Sequence, residues 1–262
     1  MKINANDIRK VSLEMIHNSG SGHVGGSFSI AEIVSYLYSN FDLSSGKQDK
    51  LILSKGHAAP AIYAALHLLG EINKEELLTF REINSRLQGH PDKVRLPNVV
   101  ATTGSLGQGL SIAIGHAMAH KIKGSNKKVF CIVGDGEMQE GQVWESIMLA
   151  PKFCLDNLYF IIDLNGAQND GNVRDILPLD IGNPIQDKIK SFGWNTFVID
   201  GHDENQIHAA ISQTTSGFPT CIVANTTKGK GVSFMETYEW HAKAPNAEQF
   251  KLAIEELSNE SN

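Results

Sequence analysis

The sequence predicts an α/β fold in three layers, a mostly parallel sheet flanked by helices, and three observations carry that prediction. Short apolar runs alternate with helical stretches through the second half of the chain. Those runs, VFCIV, NLYFIID and PTCIVAN among them, are nearly continuous in apolar residues, as strands covered on both faces are. Hydrophobic residues make up 41% of the 262 and charged residues 20%, enough for one large core in an ordinary globular composition.

The elements follow in order. Residues 6–18 carry Ile8, Val11, Met15 and Ile16 at helical spacing and predict a first helix. Ser29-Ile-Ala-Glu32 reads as a capping box that opens a second helix, running to about Asn40. Residues 57–69 and 74–87 read as two more helices, with SSGKQDKLIL a short loop before Ser54-Lys55-Gly56-His57. GQGLSIAIGHAMAHKI, residues 108–123, is a helix of small residues that is almost apolar all round, so it belongs against a sheet or another subunit. Strand 129–133, helix 139–150 and strand 157–163 come next, then an irregular stretch, 164–184, that reads as a functional loop. Residues 185–192 are helical and 195–200 a strand. Asp203-Glu-Asn-Gln206 caps a helix over 204–214, 219–225 is the last strand, and 246–258 the closing helix. The Ser/Asn tail at 258–262 is expected to fray. No repeat or linker composition interrupts the chain, and residues 1–262 are expected to form a single domain.

Composition bounds the function. The formal net charge is -6, which disfavours nucleic acid and anionic membranes as partners but leaves room for a small anion in a local positive field. No run reaches the ~20 apolar residues of a membrane span. The amino-terminal segment lacks the continuous apolar stretch of a signal peptide, so a cytoplasmic location is expected. Cys131, Cys154 and Cys221 are far apart without CxxC spacing, as expected of buried, reduced thiols.

The chemistry concentrates at VFCIVGDGEMQEGQVWE, residues 129–145. In an open parallel sheet ligands bind beyond the carboxyl ends of the strands. Gly134 and Gly136 permit a tight turn and close approach of a ligand, and Asp135 projects between them. The helix that follows offers its amino end to an anion. A carboxylate beside an anion site is reasonable if a divalent cation joins them, and magnesium is commonly shared between protein oxygens and substrate phosphates. Asn165, 30 residues beyond Asp135 and also just past a strand, is the candidate second ligand. A backbone carbonyl of the Gly166-Ala167 turn could complete the protein's share.

GDGEMQEGQVWE…NLYFIIDLNGAQNDG resembles the diphosphate-binding motif of thiamine diphosphate enzymes and, more narrowly, the amino-terminal half of transketolase. SGHVGGSFS, SKGHAAPAIYAAL, LQGHPD, TGSLGQGLSIAIG, FGWNTFVIDGHD and KGKGVSFMETYEWHAKAPN have counterparts there in the same order. The resemblance implies the diphosphate-binding (PP) domain of the thiamine diphosphate-binding fold. It also implies a metal site of Asp135, Asn165 and the Ala167 carbonyl, holding Mg2+ or another divalent ion such as Ca2+ or Mn2+. It places Gly134, Gly136 and Glu137 at the diphosphate and Gly104 and Leu106 at the aminopyrimidine. His23, His57, His90 and His241 match the family's histidines at the reactive carbon, the diphosphate and the sugar oxygens. Imidazole both donates and accepts near neutral pH, which suits ketose cleavage. Glu140, assigned to the catalytic set, and Glu145 are implied to join a buried carboxylate cluster at a subunit contact, with one of them protonated or shared.

Val24 and Gly26-Ser27 depart from the single-chain pattern and look like the split bacterial form, and Asn169 before Asp170-Gly171 is a further departure that leaves the metal site intact. The resemblance then implies that the pyrimidine domain, with the cofactor-activating glutamate and the phosphate-holding arginines, is on a second chain, in an α2β2 heterotetramer acting on sugar phosphates of the pentose phosphate type. The helices at 108–123 and 139–150 are the candidate interface elements. Two other readings share Gly-Asp-Gly…Asn: a subunit of a 2-oxoacid dehydrogenase or related ketol- or acyl-transferring enzyme, and a non-catalytic partner subunit. The four histidines speak against the former and the intact Asp135/Asn165 pair against the latter.

Overall fold

A computed structural model of the chain describes residues 2–43 and 48–259. Helices α1 (Ala5–Ser19), α2 (Val24–Phe28) and α3 (Ala31–Asn40) lead to strand β1 (Lys50–Leu53) and helices α4 (Ala59–Leu68), α5 (Lys74–Leu77) and α6 (Gly109–Ile122). Then come β2 (Val129–Gly134), α7 (Gly141–Lys152), β3 (Leu158–Leu164), a hairpin of β4 (Ala167–Gln168) and β5 (Gly171–Asn172), and α8 (Val173–Ile176). Helix α9 (Ile185–Ser191), β6 (Asn195–Asp200), α10 (Glu204–Ser212), β7 (Thr220–Asn225) and α11 (Ala247–Asn259) complete the order.

Among the described residues, five strands form one sheet in the order β1-β2-β3-β7-β6, every neighbouring pair parallel. Successive side chains on a strand point to opposite faces. Phe130, Ile132, Tyr159, Ile161 and Ile222 therefore enter one core with α1, α3, α4, α10 and α11. Cys131, Val133, Phe160, Ile162 and Val223 enter the other with α6, α7 and α9. This is the expected three-layer arrangement. Gly134 pairs with Asp163 and Asp163 with Ala224, so the loops after β2, β3 and β7 leave the sheet side by side.

The structure corrects several sequence expectations. KLIL is edge strand β1 and not loop, four residues paired with β2 alone. The helix expected over 74–87 lasts one turn, because Arg81 and Asn84 take left-handed backbone (φ 65° and 68°). Ser29 and Glu32 form no capping box: the Ser29 hydroxyl bonds to Asp163 and the Glu32 carboxylate to Arg9 and His202. Asp203 does cap α10, accepting from the N–H groups of Asn205 and Gln206. The helix expected from 139 starts at Gly141, after a 3-10 turn at Gly136–Gln139. Residues 164–184 are not wholly irregular, since they hold β4, β5 and α8. Cys131 and Cys221 are buried, but Cys154 is exposed. Helix α6 buries Leu110, Ala113, Ile114 and Ala117 and leaves its other face open, with Ile122 83% exposed. The end of the tail expected to fray, 260–262, lies outside the described residues. No helix among them is long and apolar enough to cross a membrane.

Candidate active site

The site grows from the carboxyl ends of β1, β2, β3 and β7. Asp135, just past β2, accepts the N–H of Gly136 on Oδ1 at 2.8 Å and the N–H of Gly166 on Oδ2 at 2.5 Å. That ties the loop after β3 to the turn after β2. Asp163, near the end of β3, is fully buried and accepts from Ser29 Oγ at 2.8 Å, Asn165 Nδ2 at 2.7 Å, Thr226 Oγ1 and Lys55 Nζ. Asn165 is thereby held in one orientation: its Nδ2 is engaged with Asp163, and its Oδ1 accepts the Ala167 N–H at 3.1 Å with a lone pair to spare. The Ala167 carbonyl accepts from Lys228 Nζ at 2.9 Å.

The electrostatics of this floor follow from burial. Asp135 and Lys55 are each 1% exposed and Lys228 4%. Burial and the neighbouring Asp163 carboxylate push the Asp135 carboxyl up to about 6. Burial and Lys55 pull the Lys228 ammonium down to about 8. Burial acts on Asp163 in the same sense as on Asp135, but Lys55 and the hydroxyls of Thr226 and Ser29 outweigh it and hold the group below the ordinary carboxylate range.

Over the floor lies a cleft of about 270 Å³, whose lining includes Lys55, His57, Leu106, Asp135, Lys228 and His241. His57 and His241 belong to a group of four imidazoles at the edge of this cleft: His23 lies 5.2 Å from His57, 6.2 Å from His90 and 5.5 Å from His241, and His57 lies 5.0 Å from His241, between ring centroids. Burial, with Arg81 next, lowers His23 to about 4; burial, with Lys228 next, lowers His241 to about 3. Burial also lowers His57 and His90. All four are neutral imidazoles at pH 7. The His241 Nδ1 atom is buried and has no hydrogen-bond partner among the described residues. His90 is exposed at the rim, and Gly104 backs it: at φ 141°, a Cβ on Gly104 would lie 3.0 Å from His90 Cγ.

The structure thus places Asp135, Asn165, Ala167, His57 and His241 around one cleft, with His23 packed against His57 and His241 and His90 against His23. The glycines act differently from the sequence argument. Neither Gly134 nor Gly136 takes left-handed backbone; Gly136 is needed because a Cβ there would meet Gln168 Cβ at 2.9 Å. Glu137 lines the cleft, but its carboxylate serves the scaffold: it accepts from Ser54 Oγ at 2.5 Å and from the N–H groups of Gly107 at 2.9 Å and Gly134 at 3.2 Å. It thereby anchors the loop that carries Gly104 and Leu106. Glu140 and Glu145 are both exposed and form no buried cluster within this chain, since α7 turns that flank outward. Sequence reasoning missed Asp163, Lys55, Lys228 and Arg81 as site residues. Lys55 and Lys228 do lie inside SKGH and KGKG, where a lysine amid glycines was the available signal.

Asp135, Asn165 Oδ1 and the Ala167 carbonyl form an all-oxygen donor set with one carboxylate. That suits a hard divalent cation whose other positions are filled by phosphate oxygens and water. No group of three or more His, Cys, Asp and Glu side chains among the described residues forms a self-sufficient metal cage. The unpartnered His241 nitrogen and the Lys228 ammonium, which faces the same floor, fit an anionic, hydrogen-bonding ligand in the cleft.

Comparison with known proteins identifies the family. Residues 1–261 match the family described as transketolase, thiamine diphosphate binding domain. The chain is 42% identical to a 6-deoxy-6-sulfo-D-fructose transketolase subunit of Clostridium sp. (strain MSTE9), over 98% of this chain and 95% of that one. It is 38% identical to an apulose-4-phosphate transketolase subunit of Actinobacillus succinogenes, over 96% of this chain and 93% of that one. The solved transketolase of Campylobacter jejuni superposes with a TM-score of 0.89 at 33% identity, covering 97% of this chain and 42% of its own. The chain thus spans about two fifths of that protein's length. It belongs to the transketolase thiamine diphosphate-binding domain family.

Proposed function

We propose that this family member is the diphosphate-binding subunit of a two-chain transketolase, a single PP domain that works with a second chain carrying the pyrimidine domain. Together they transfer a two-carbon ketol unit from a ketose to an aldose. The supporting observation is the cluster of His23, His57, His90 and His241, of which His57 and His241 share one cleft with Asp135, Asn165 and Ala167. The names of relatives that are themselves transketolase subunits, each of about this length, support the division into two chains.

Asp135, Asn165 and the Ala167 carbonyl would hold a divalent cation, Mg2+ by the hardness of the donors. Lys228, His57 and His241 would bind the diphosphate beside Gly134 and Gly136. Gly104 and Leu106 would meet the aminopyrimidine. Bound there, thiamine diphosphate supplies the carbanion-stabilising chemistry that lets a ketose carbon–carbon bond break. The chain's own part is to orient the sugar and manage its hydrogen bonds. His23, and His90 at the rim, would hydrogen-bond the carbonyl and hydroxyl oxygens as neutral imidazoles. Glu140, exposed at the start of α7 and lining the same cleft as Leu106, would meet the partner chain.

The sugar is a ketose with an anionic terminal group. Relatives named for sulfonated and phosphorylated sugars favour that class and leave a specialised pathway as open as the pentose phosphates. The assembly is an α2β2 heterotetramer in the cytoplasm. Donor cleavage is the test: xylulose 5-phosphate and 6-deoxy-6-sulfofructose are supplied with thiamine diphosphate and Mg2+ to this chain alone, and again with its pyrimidine-domain partner. Cleavage in the mixture alone is the expected result. Cleavage by this chain alone, or by neither preparation with either sugar, would overturn the reading.

A further inference from the structure

Arg81 touches the histidine cluster although it belongs to none of the sequence motifs. It sits just past α5 with φ 65°, a backbone conformation that is uncommon for arginine, and its guanidinium lies 5.6 Å from the centroid of the Phe80 ring. Gly89 leaves it room: a Cβ at that position would come within 2.9 Å of Arg81 Nε. Nη1 donates to Ser21 Oγ at 2.6 Å, and Nη2 lies 3.2 Å from His23 Nδ1. The guanidinium is therefore fixed from several sides.

A guanidinium has donors and no acceptor. The nitrogen it meets on His23 must offer a lone pair, so the single proton of the neutral ring is on Nε2. We propose that Arg81 is a positioning residue that locks His23 as the Nε2–H tautomer, so that His23 meets a sugar oxygen as a hydrogen-bond donor. Among the described residues, no hydrogen bond reaches a ring nitrogen of His57, His90 or His241, so His23 is the member of the cluster whose tautomer the fold sets. The groups facing His23 are Arg81, Lys55 and Lys228, all cationic, and His57, His90 and His241; none is a carboxylate that would favour a doubly protonated ring. A fixed N–H donor next to a ketose carbonyl stabilises negative charge as it develops on that oxygen, with no reorganisation during the reaction.

The donor role rests on the transketolase reading; the tautomer does not. The test begins with ring 15N shifts of the full 262-residue chain at pH 7, without cofactor or partner, with the His23 signals assigned by their loss in His23→Gln. The expected result is an unprotonated-type Nδ1 and a protonated-type Nε2. Arg81→Met should move both shifts toward tautomer-averaged values, and Arg81→Lys, which keeps a donor, should move them less. In the assembled enzyme Arg81→Met should lower kcat a few-fold with little change in KM. It should also shift the acid limb of the profile to higher pH, because a neighbouring positive charge is gone. A proton on Nδ1 in the wild-type chain overturns the proposal, as does Arg81→Met with unchanged shifts. The wild-type measurement decides even if that variant does not fold. If the assembled complex transfers no ketol unit while the shifts behave as expected, the functional reading fails and the tautomer assignment stands.

Discussion

Replacing Lys55 by Met should destabilise the chain by about 3 kcal/mol, and the reason lies in one buried pair. Lys55 is 1% exposed and its partner Asp163 is 0% exposed. Removing one member of such a pair strands the other charge in the core, which costs ~3–5 kcal/mol. Asp163 keeps three neutral donors, from Ser29, Asn165 and Thr226, and this places the expected loss at the lower end of that range. For a chain of this size each kcal/mol moves Tm by ~2–4 °C, so Lys55→Met should melt about 6–12 °C below wild type. The assay is thermal unfolding followed by circular dichroism at neutral pH without cofactor, on wild type, Lys55→Met, Asp163→Leu and the double variant. The double variant should recover much of the loss, because two apolar side chains replace two charges. A Lys55→Met chain within about 1 °C of wild type would refute the reasoning, and so would a double variant that melts at the sum of the single losses.

Asp135→Ala should abolish Mg2+-dependent binding of thiamine diphosphate to the assembled enzyme, a loss of at least about 100-fold by calorimetry, while leaving the fold intact by circular dichroism. The histidine cluster sets a pH dependence of stability. His23 and His241 titrate at about 4 and about 3 in the folded chain, against ~6.5 when unfolded. The folded state therefore binds fewer protons than the unfolded state below pH ~6.5, and stability present above that pH is lost as the pH falls toward 4. His23→Asn/His241→Asn should flatten Tm against pH between 6.5 and 4; an unchanged slope would contradict the assignment. Gly104→Ala adds a methyl 3.0 Å from His90 Cγ at a φ of 141°, so it should cost ~1–3 kcal/mol and weaken cofactor affinity, measured by unfolding and titration.

How much was legible in the sequence depended on how local the signal was. The parallel sheet was plain because VFCIV, NLYFIID and PTCIVAN each carry their own evidence. Asp135 and Asn165 could be paired because both follow strands that are neighbours in the sheet. Asp163 closes the strand expected over 157–163, and nothing within its own segment marks it as the acceptor for groups from three other segments: Ser29, Lys55 and Thr226. Its partner Lys55 is 108 positions away, and a lysine inside the core cannot be inferred from periodicity. The helix over 74–87 failed for the converse reason. Its residues favour helix, but Arg81 and Asn84 are held in left-handed backbone, Arg81 by contacts to Ser21 and His23 that local propensity does not contain. Glu137 and Glu140 are three residues apart, yet one is buried under the Gly107 loop and the other faces solvent. The 3-10 turn between β2 and α7, which decides that difference, left no mark in the motif.

The same turn explains how a chain of net charge -6 can build a site for an anion. The acidic surplus is not where the ligand would sit. Asp163 is neutralised by Lys55, and Glu137 is spent on two backbone N–H groups and the Ser54 hydroxyl. Of the buried carboxylates beneath the cleft, Asp135 alone is left to face it, and Lys228 stands against it across the Ala167 carbonyl. A divalent ion on Asp135 would turn this floor net positive, so under the proposed function the metal and the diphosphate would each favour binding of the other. The rim is built differently. His90 is exposed, Leu106 is 37% exposed, and Glu140 lies open beside them. Binding at the floor is therefore expected to survive in this chain alone, weakly and only with Mg2+, while turnover requires a second surface over the rim. Cofactor affinity that is equal with and without the divalent ion would break this coupling and, with it, the division of labour between the two chains.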